Sequence, residues 1–183
     1  MIVMKKYLLI IICIAFFGKT SLAQFYTGIE AKVAYPIGYF NSQVEFGYGP
    51  VFNLGYLANN KLDFSICYEL QFFNTQQPNF RITSESFSFK YKINLDKCIP
   101  YLGLRTGIFH SKTEIPAIVI GQNIETVERK ENAFGFAPTI GVIIDTRFSK
   151  KVNIDISTSY SVLYFNSKYT YLSMSAGIIY IFK

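Results

Sequence analysis

Seven charged side chains share strand parity with glycine, serine and asparagine: Glu30, Lys32, Glu69, Lys90, Lys92, Arg105 and Asp155. Carboxylates and cations interleaved in this way can line an ion path, hold a solute, or pair with one another. A charge buried alone carries a large desolvation cost, so a narrow interior demands pairs. The three acids and four bases come close to balance. Arg105 is expected to meet Glu69 or Glu30, and Asp155 to meet Lys32, Lys90 or Lys92. This set is read as a salt-bridged plug rather than as an open path.

The remaining reactive residues support little chemistry. His110 is the only histidine and stands beside Ser111, a pair that suggests acyl transfer. Neighbouring residues on a strand point to opposite faces, so the two would not meet. One histidine and two separated cysteines beyond the leader, Cys67 and Cys98, form no metal-ligand cluster. The two cysteines fall at different depths and are expected to stay unpaired. Gly47-Tyr48-Gly49 lacks the strand–turn–helix context of a phosphate loop and suits lumen-facing or strand-bending positions. No catalytic residue, cofactor site or metal site is assigned.

The elements that position these residues are strands of an exported chain. Lys5 and Lys6 precede an apolar run at residues 8–17, and Ser21-Leu22-Ala23 precedes Gln24. That order is a secretory signal peptide, so residues 1–23 are expected to be removed. Cys13 follows the bulky Ile12, and the apolar run continues past it, which argues against a lipoprotein cysteine. Half of all residues are hydrophobic, yet no later run approaches the roughly 20 apolar residues of a spanning helix. Removal of 23 residues from 183 leaves 160, which suits eight spanning strands of ~9–11 residues with their turns. Losing Lys5, Lys6 and Lys19 lowers the net charge from +6 to +3, too mild and scattered to bind nucleic acid.

Period-two alternation divides residues 24–183 into eight segments. The clearest sets Leu62, Phe64, Ile66, Tyr68, Leu70 and Phe72 against Asp63, Ser65, Cys67, Glu69 and Gln71. Connections alternate between long and short. Residues 58–61, 96–99 and 146–151 are the short ones, and the connection from Ser111 to Asn132 is the longest. Ser84-Glu85-Ser86 and that longest loop are candidates for solvent-facing partner contact. Bulky rows pointing inward would overfill eight strands and leave glycine and serine outside. The apolar rows therefore face lipid, and the fold class is an all-β, eight-stranded, antiparallel up-and-down transmembrane barrel. Both termini are expected on the periplasmic side.

The closing stretch Gly177-Ile178-Ile179-Tyr180-Ile181-Phe182 looks like the C-terminal signal read by the barrel assembly machinery, with Gly177, Tyr180 and Phe182 as its markers. The Ala-Gln junction at 23–24, the stretch at residues 86–104 (SFSFKYKINLDKCIPYLGL) and this ending together resemble the small outer-membrane β-barrel domain proteins of the Bacteroidetes, the porin family or PorT-like group. The resemblance implies an eight-stranded barrel and carries over no catalytic residue. One branch of that family assists type IX secretion. The expected role is non-enzymatic, structural or surface-interacting, in the outer membrane. The expected partners are outer-membrane lipid, the assembly machinery and an extracellular ligand of the loop from Ser111 to Asn132. The rival readings are a narrow porin and a lipid-modifying enzyme.

Overall fold

A computed structural model describes residues 24–42, 44–75, 80–93, 95, 97–116, 126–146, 149 and 151–182. The signal-peptide expectation lies outside these residues. The strands are β1 (Gln24–Ile37), β2 (Gly47–Leu57), β3 (Leu62–Phe73), β4 (Phe80–Lys92), β5 (Cys98–Pro116), β6 (Thr126–Asp145), β7 (Val152–Tyr164) and β8 (Lys168–Ile181). Each pairs antiparallel with the next, and β8 returns to β1, closing a barrel in sequence order. Among the described residues no helix is long and apolar enough to cross a membrane.

The register fixes how the barrel closes. Cross-strand partners run from Gln24 to Leu57, Asp63, Lys90, Gly103, Thr139, Ser159 and Ser173, and then return to β1 at Ala34. One circuit therefore climbs β1 by ten residues, from Gln24 to Ala34. With a rise of ~3.3 Å per residue and ~4.8 Å between strands, this stagger tilts the strands by about 40°. Eight strands so tilted enclose a space just wide enough for side chains.

Burial alternates along β1 to β4, while on β7 Ser161, Val162 and Leu163 are all buried. On β1 the residues Tyr26, Gly28, Glu30, Lys32 and Ala34 are buried, while Phe25, Ile29 and Val33 are exposed. The outward row of β3 exposes Ile66 and Tyr68, and its inward row buries Asp63, Ser65, Cys67, Glu69 and Gln71. Bulky apolar groups thus cover the outside and polar ones fill the centre, the inverse of a soluble barrel. Aromatic pairs mark both ends of the apolar belt. Phe25–Tyr56 (5.2 Å) and Tyr180–Phe182 (5.3 Å) lie near the termini, and Tyr48–Phe72 (6.4 Å) and Phe136–Tyr164 (6.2 Å) lie near the other end, here called the loop end. Such girdles suit the two membrane–water interfaces.

Two sequence expectations need correction. Ser84 and Ser86 are not solvent-facing, because β4 already begins at Phe80 and both hydroxyls are buried in the lumen. Glu85 between them points outward, paired across the wall with Tyr68 and Ile108. The connection from Ser111 to Asn132 is not mainly loop either. β5 and β6 continue as a paired ribbon from Ser111↔Glu131 to Pro116↔Thr126, and residues 117–125 lie outside the described part. These stretches lack the apolar alternation that marks the strands elsewhere, so period two does not reveal them.

Ile66 is 64 % exposed on the belt. Ile66→Arg is expected to cost ~2–4 kcal/mol through exposure of a cation to hydrocarbon. Lys61→Ala, in the turn after β2, should change stability by less than ~0.5 kcal/mol. Reversible urea unfolding in lipid vesicles measures both, and equal costs would mean that Ile66 does not face lipid.

Candidate functional site

The inward rows converge on an interior of paired charges arranged in two layers. The layer nearer the termini is built from the first turns of the lumen wall. Tyr26 Oη donates to Asp63 Oδ1 (2.7 Å), and Lys92 Nζ lies 3.1 Å from Asp63 Oδ2. Lys90 Nζ donates to Asp155 Oδ2 (2.7 Å), and Tyr101 Oη donates to Asp155 Oδ1 (2.8 Å). Lys90 also stands 4.6 Å from the centre of the Tyr101 ring, a cation–π contact strengthened by exclusion of water.

The second layer is centred on Glu69. Lys32 Nζ donates to both of its carboxylate oxygens at 2.9 Å, and Arg105 Nη1 donates to Oε2 at 2.9 Å. Glu30 accepts from Asn53 Nδ2 (2.5 Å) and Ser175 Oγ (2.7 Å). Counting the side chains named, each layer holds two acids and two bases and is formally neutral.

All seven sequence-selected charges therefore face the lumen. The structure brings Lys32, Glu69 and Arg105 into one cluster and Lys90 and Asp155 into another. Lys92 meets Asp63, an eighth charge on the polar row of β3. The unequal tally of three acids and four bases was itself the signal for the missing acid. Tyr26, Tyr101 and Asn53 were missed because a single aromatic or amide on a polar row carries no charge pattern.

Above the second layer, toward the loop end, the filling becomes apolar. Phe73, Phe80, Ile82, Phe109, Leu163 and Tyr171 pack with Phe40. Phe40 is carried into the mouth by a short 3-10 turn, Gly38–Ser42, and is fully buried there. The turn starts at Gly38 with φ 64°, a left-handed conformation that favours glycine. Phe40 stacks on Tyr169 at 4.6 Å and 10° and meets Phe73 edge-on at 5.2 Å. A cavity of about 740 Å³ opens at the loop end, lined by Tyr39, Glu45, Arg129, Glu131, Asn166 and Tyr169 among others. Another, of about 490 Å³, opens at the terminus end and reaches Tyr26, Asp63 and Lys92. The ion pairs and the aromatic cluster stand between them.

Gly177, selected as part of an assembly signal, lies opposite Glu30 on one side and Asp155 on the other. A Cβ there would sit 2.6 Å from the Glu30 Cα and Cγ, so glycine leaves room for a buried carboxylate. Tyr180 and Phe182 face outward. His110 Nδ1 lies 2.8 Å from Asn132 Oδ1, while Ser111 is buried on the opposite face. Cys67 is buried in the lumen and Cys98 is exposed, both as free thiols. Gly47 and Gly49 lie within β2, with Gly47 against the Phe73 ring and Gly49 against the Leu70 carbonyl. Among the described residues no group of three or more His, Cys, Asp or Glu is placed to hold a metal ion.

The backbone closely follows solved structures. Neisserial surface protein A superposes with a TM-score of 0.69 at 21% identity, covering 87% of this chain and 99% of that one. The fold is that of small outer-membrane β-barrels. Ail, the attachment invasion locus protein of Yersinia pestis, gives 0.55 at 17% identity over 87% of this chain and 97% of its own. The N-terminal barrel domain of Pseudomonas aeruginosa OprF gives 0.50 at 14% identity over 86% and 99%. No protein-family model and no curated protein sequence matches the chain.

Glu69 holds two cations, so its removal should be felt more than that of any rim charge. Arg105→Ala and Glu69→Gln are each expected to destabilise the barrel by ~3–5 kcal/mol, because a desolvated partner is left behind. Urea midpoints in vesicles check this, with Lys151→Ala as the surface reference. Unchanged midpoints would mean that the cluster contributes no stability.

Proposed function

We propose that the protein is a non-enzymatic component of the outer-membrane wall, closed to solutes and presenting its loop end to the outside. The observation that carries this reading is the pair of neutral ionic layers between the two end cavities. A conducting path needs water or mobile groups along the axis. Here Lys32, Lys90, Lys92 and Arg105 are each engaged by a carboxylate, and Phe40 closes the mouth above them. The likeness to outer-membrane barrels supports the location. The short turns beside the termini support a periplasmic placement of that end, since long connections in such barrels face outward. The apolar ending with Tyr180 and Phe182 supports delivery by the barrel assembly machinery.

The surface role falls to the loop end, where the 740 Å³ cavity offers tyrosine rings beside Arg129, Glu131 and Asn166. Aromatic faces set among hydrogen-bonding groups suit a polar ligand with some apolar surface. The enzymatic alternative lacks support, since His110 is engaged with Asn132 and turned away from Ser111.

Conductance in a planar bilayer tests the closed-lumen reading. The purified wild-type barrel is expected to insert without stable open steps, whereas a narrow porin would give them, and their appearance would overturn the proposal.

A further inference from the structure

The inward row changes character at the terminus end. Lipid demands apolar residues on the outward row alone. Yet Leu57, Ile99, Ile143, Ile179 and Ile181 share the inward parity and line the cavity of about 490 Å³. Ile143 and Ile179 are buried in one cluster with Tyr26 and Tyr101, and that packing accounts for them. Leu57, Ile99 and Ile181 rest on the cluster but are only partly buried, so they form an apolar collar around the cavity.

Below the collar the lining is polar. Asp63 and Lys92 are buried there, with Lys92 Nζ 3.1 Å from Asp63 Oδ2. This is the one ion pair of Lys92 among the described residues, and an ammonium carries three N–H donors. Asn153 lines the same cavity, and its Oδ1 is buried without a hydrogen-bond partner among the described residues. Lys90 on β4 meets Asp155 on β7 across the lumen at 2.7 Å. Lys92 and Asn153 are the next inward residues of the same two strands toward the termini. A donor and an acceptor with bonding capacity to spare thus look into one space from opposite walls.

Charge balance selects what bridges them. The Asp63–Lys92 and Asp155–Lys90 pairs are each neutral, so an ion of either sign would add an unpaired charge to a buried space. A neutral group that accepts from Lys92 and donates to Asn153 avoids that cost, and a hydroxyl does both. Water does so too, but it leaves the collar wet. An apolar body attached to the hydroxyl removes that surface from water. The cavity volume falls within the range of small-molecule pockets.

We propose that the terminus-end cavity binds a small uncharged alcohol or phenol, its hydroxyl between Lys92 and Asn153 and its apolar body against Leu57, Ile99 and Ile181. The site lies at the opposite end from the surface role proposed above and is independent of it.

Methyl NMR of the barrel recovered from outer membranes, with isotope-labelled isoleucine methyls in phosphatidylcholine nanodiscs, tests the site by titration with para-cresol. The Ile99 and Ile181 methyls are expected to shift and saturate. The lipid-facing Ile66 methyl should shift only in proportion to added cresol, as partition into the bilayer requires. Toluene, the same body without the hydroxyl, should bind on the order of tenfold more weakly. Asn153→Leu, which keeps the volume and removes the acceptor, should weaken cresol binding by a similar factor. That variant is first checked for the folded band that shifts on boiling, and Asn153→Ser serves if it does not fold. Shifts at Ile99 and Ile181 that merely track Ile66 would overturn the site. Equal binding of toluene, or undiminished binding by the Asn153 variant, would overturn the role of the hydroxyl. Tighter binding of para-toluate or para-methylbenzylamine would overturn the uncharged ligand class.

Discussion

Eight strands climbing ten residues per circuit leave an interior with room for side chains and little else. That narrowness governs the rest of the molecule. Many inward positions are accordingly small, ion-paired or hydrogen-bonded, or packed on an aromatic ring. Gly177 yields space to Glu30, Asn53 and Ser175 hydrogen-bond to it, and Lys32 and Arg105 divide one carboxylate between them. A charge cannot be added or removed in such a space without altering its neighbours, because the low dielectric magnifies both the attraction and the cost of losing it.

The interior has two kinds of filling, and they do different things. The ionic layers tie together strands that are not neighbours, since Lys32 on β1 reaches both carboxylate oxygens of Glu69 on β3. The aromatic cluster around Phe40 is less directional and stabilises by burying area. It also ties the β1–β2 connection to β8 through Tyr169 and Tyr171, and across the mouth to β4 through Phe80. The ends of the barrel are held differently as a result: hydrogen-bonded charge at the terminus end, stacked rings at the loop end.

Much of this was legible in the sequence because a barrel wall obeys period two. Rows such as 62–72 on β3 declare their faces without any tertiary information, and the charges fall on the inward rows for the same reason. Three things were not legible. The ion-pair partners depend on the stagger of the strands, a property of closure that no single strand encodes. The burial of Phe40 depends on a left-handed turn at Gly38 that returns the chain into the mouth. The strand character of residues 111–116 and 126–132 was hidden because neither stretch alternates apolar with polar residues. Ser84 and Ser86 were misplaced for a related reason, since serine serves a narrow lumen as readily as it serves solvent.

The cysteines carry a further consequence. Cys98 is exposed at the start of β5, beside the turn at the terminus end, whereas Cys67 is sealed among Ser65 and the lumen wall. The two thiols differ completely in access to a water-soluble alkylating reagent. Within the described residues, the folded chain thus presents a single addressable thiol, fixed to one rim. Such a group makes the barrel its own sidedness marker: modification in intact cells or only after the envelope is breached reports which compartment the termini occupy, with no engineered tag.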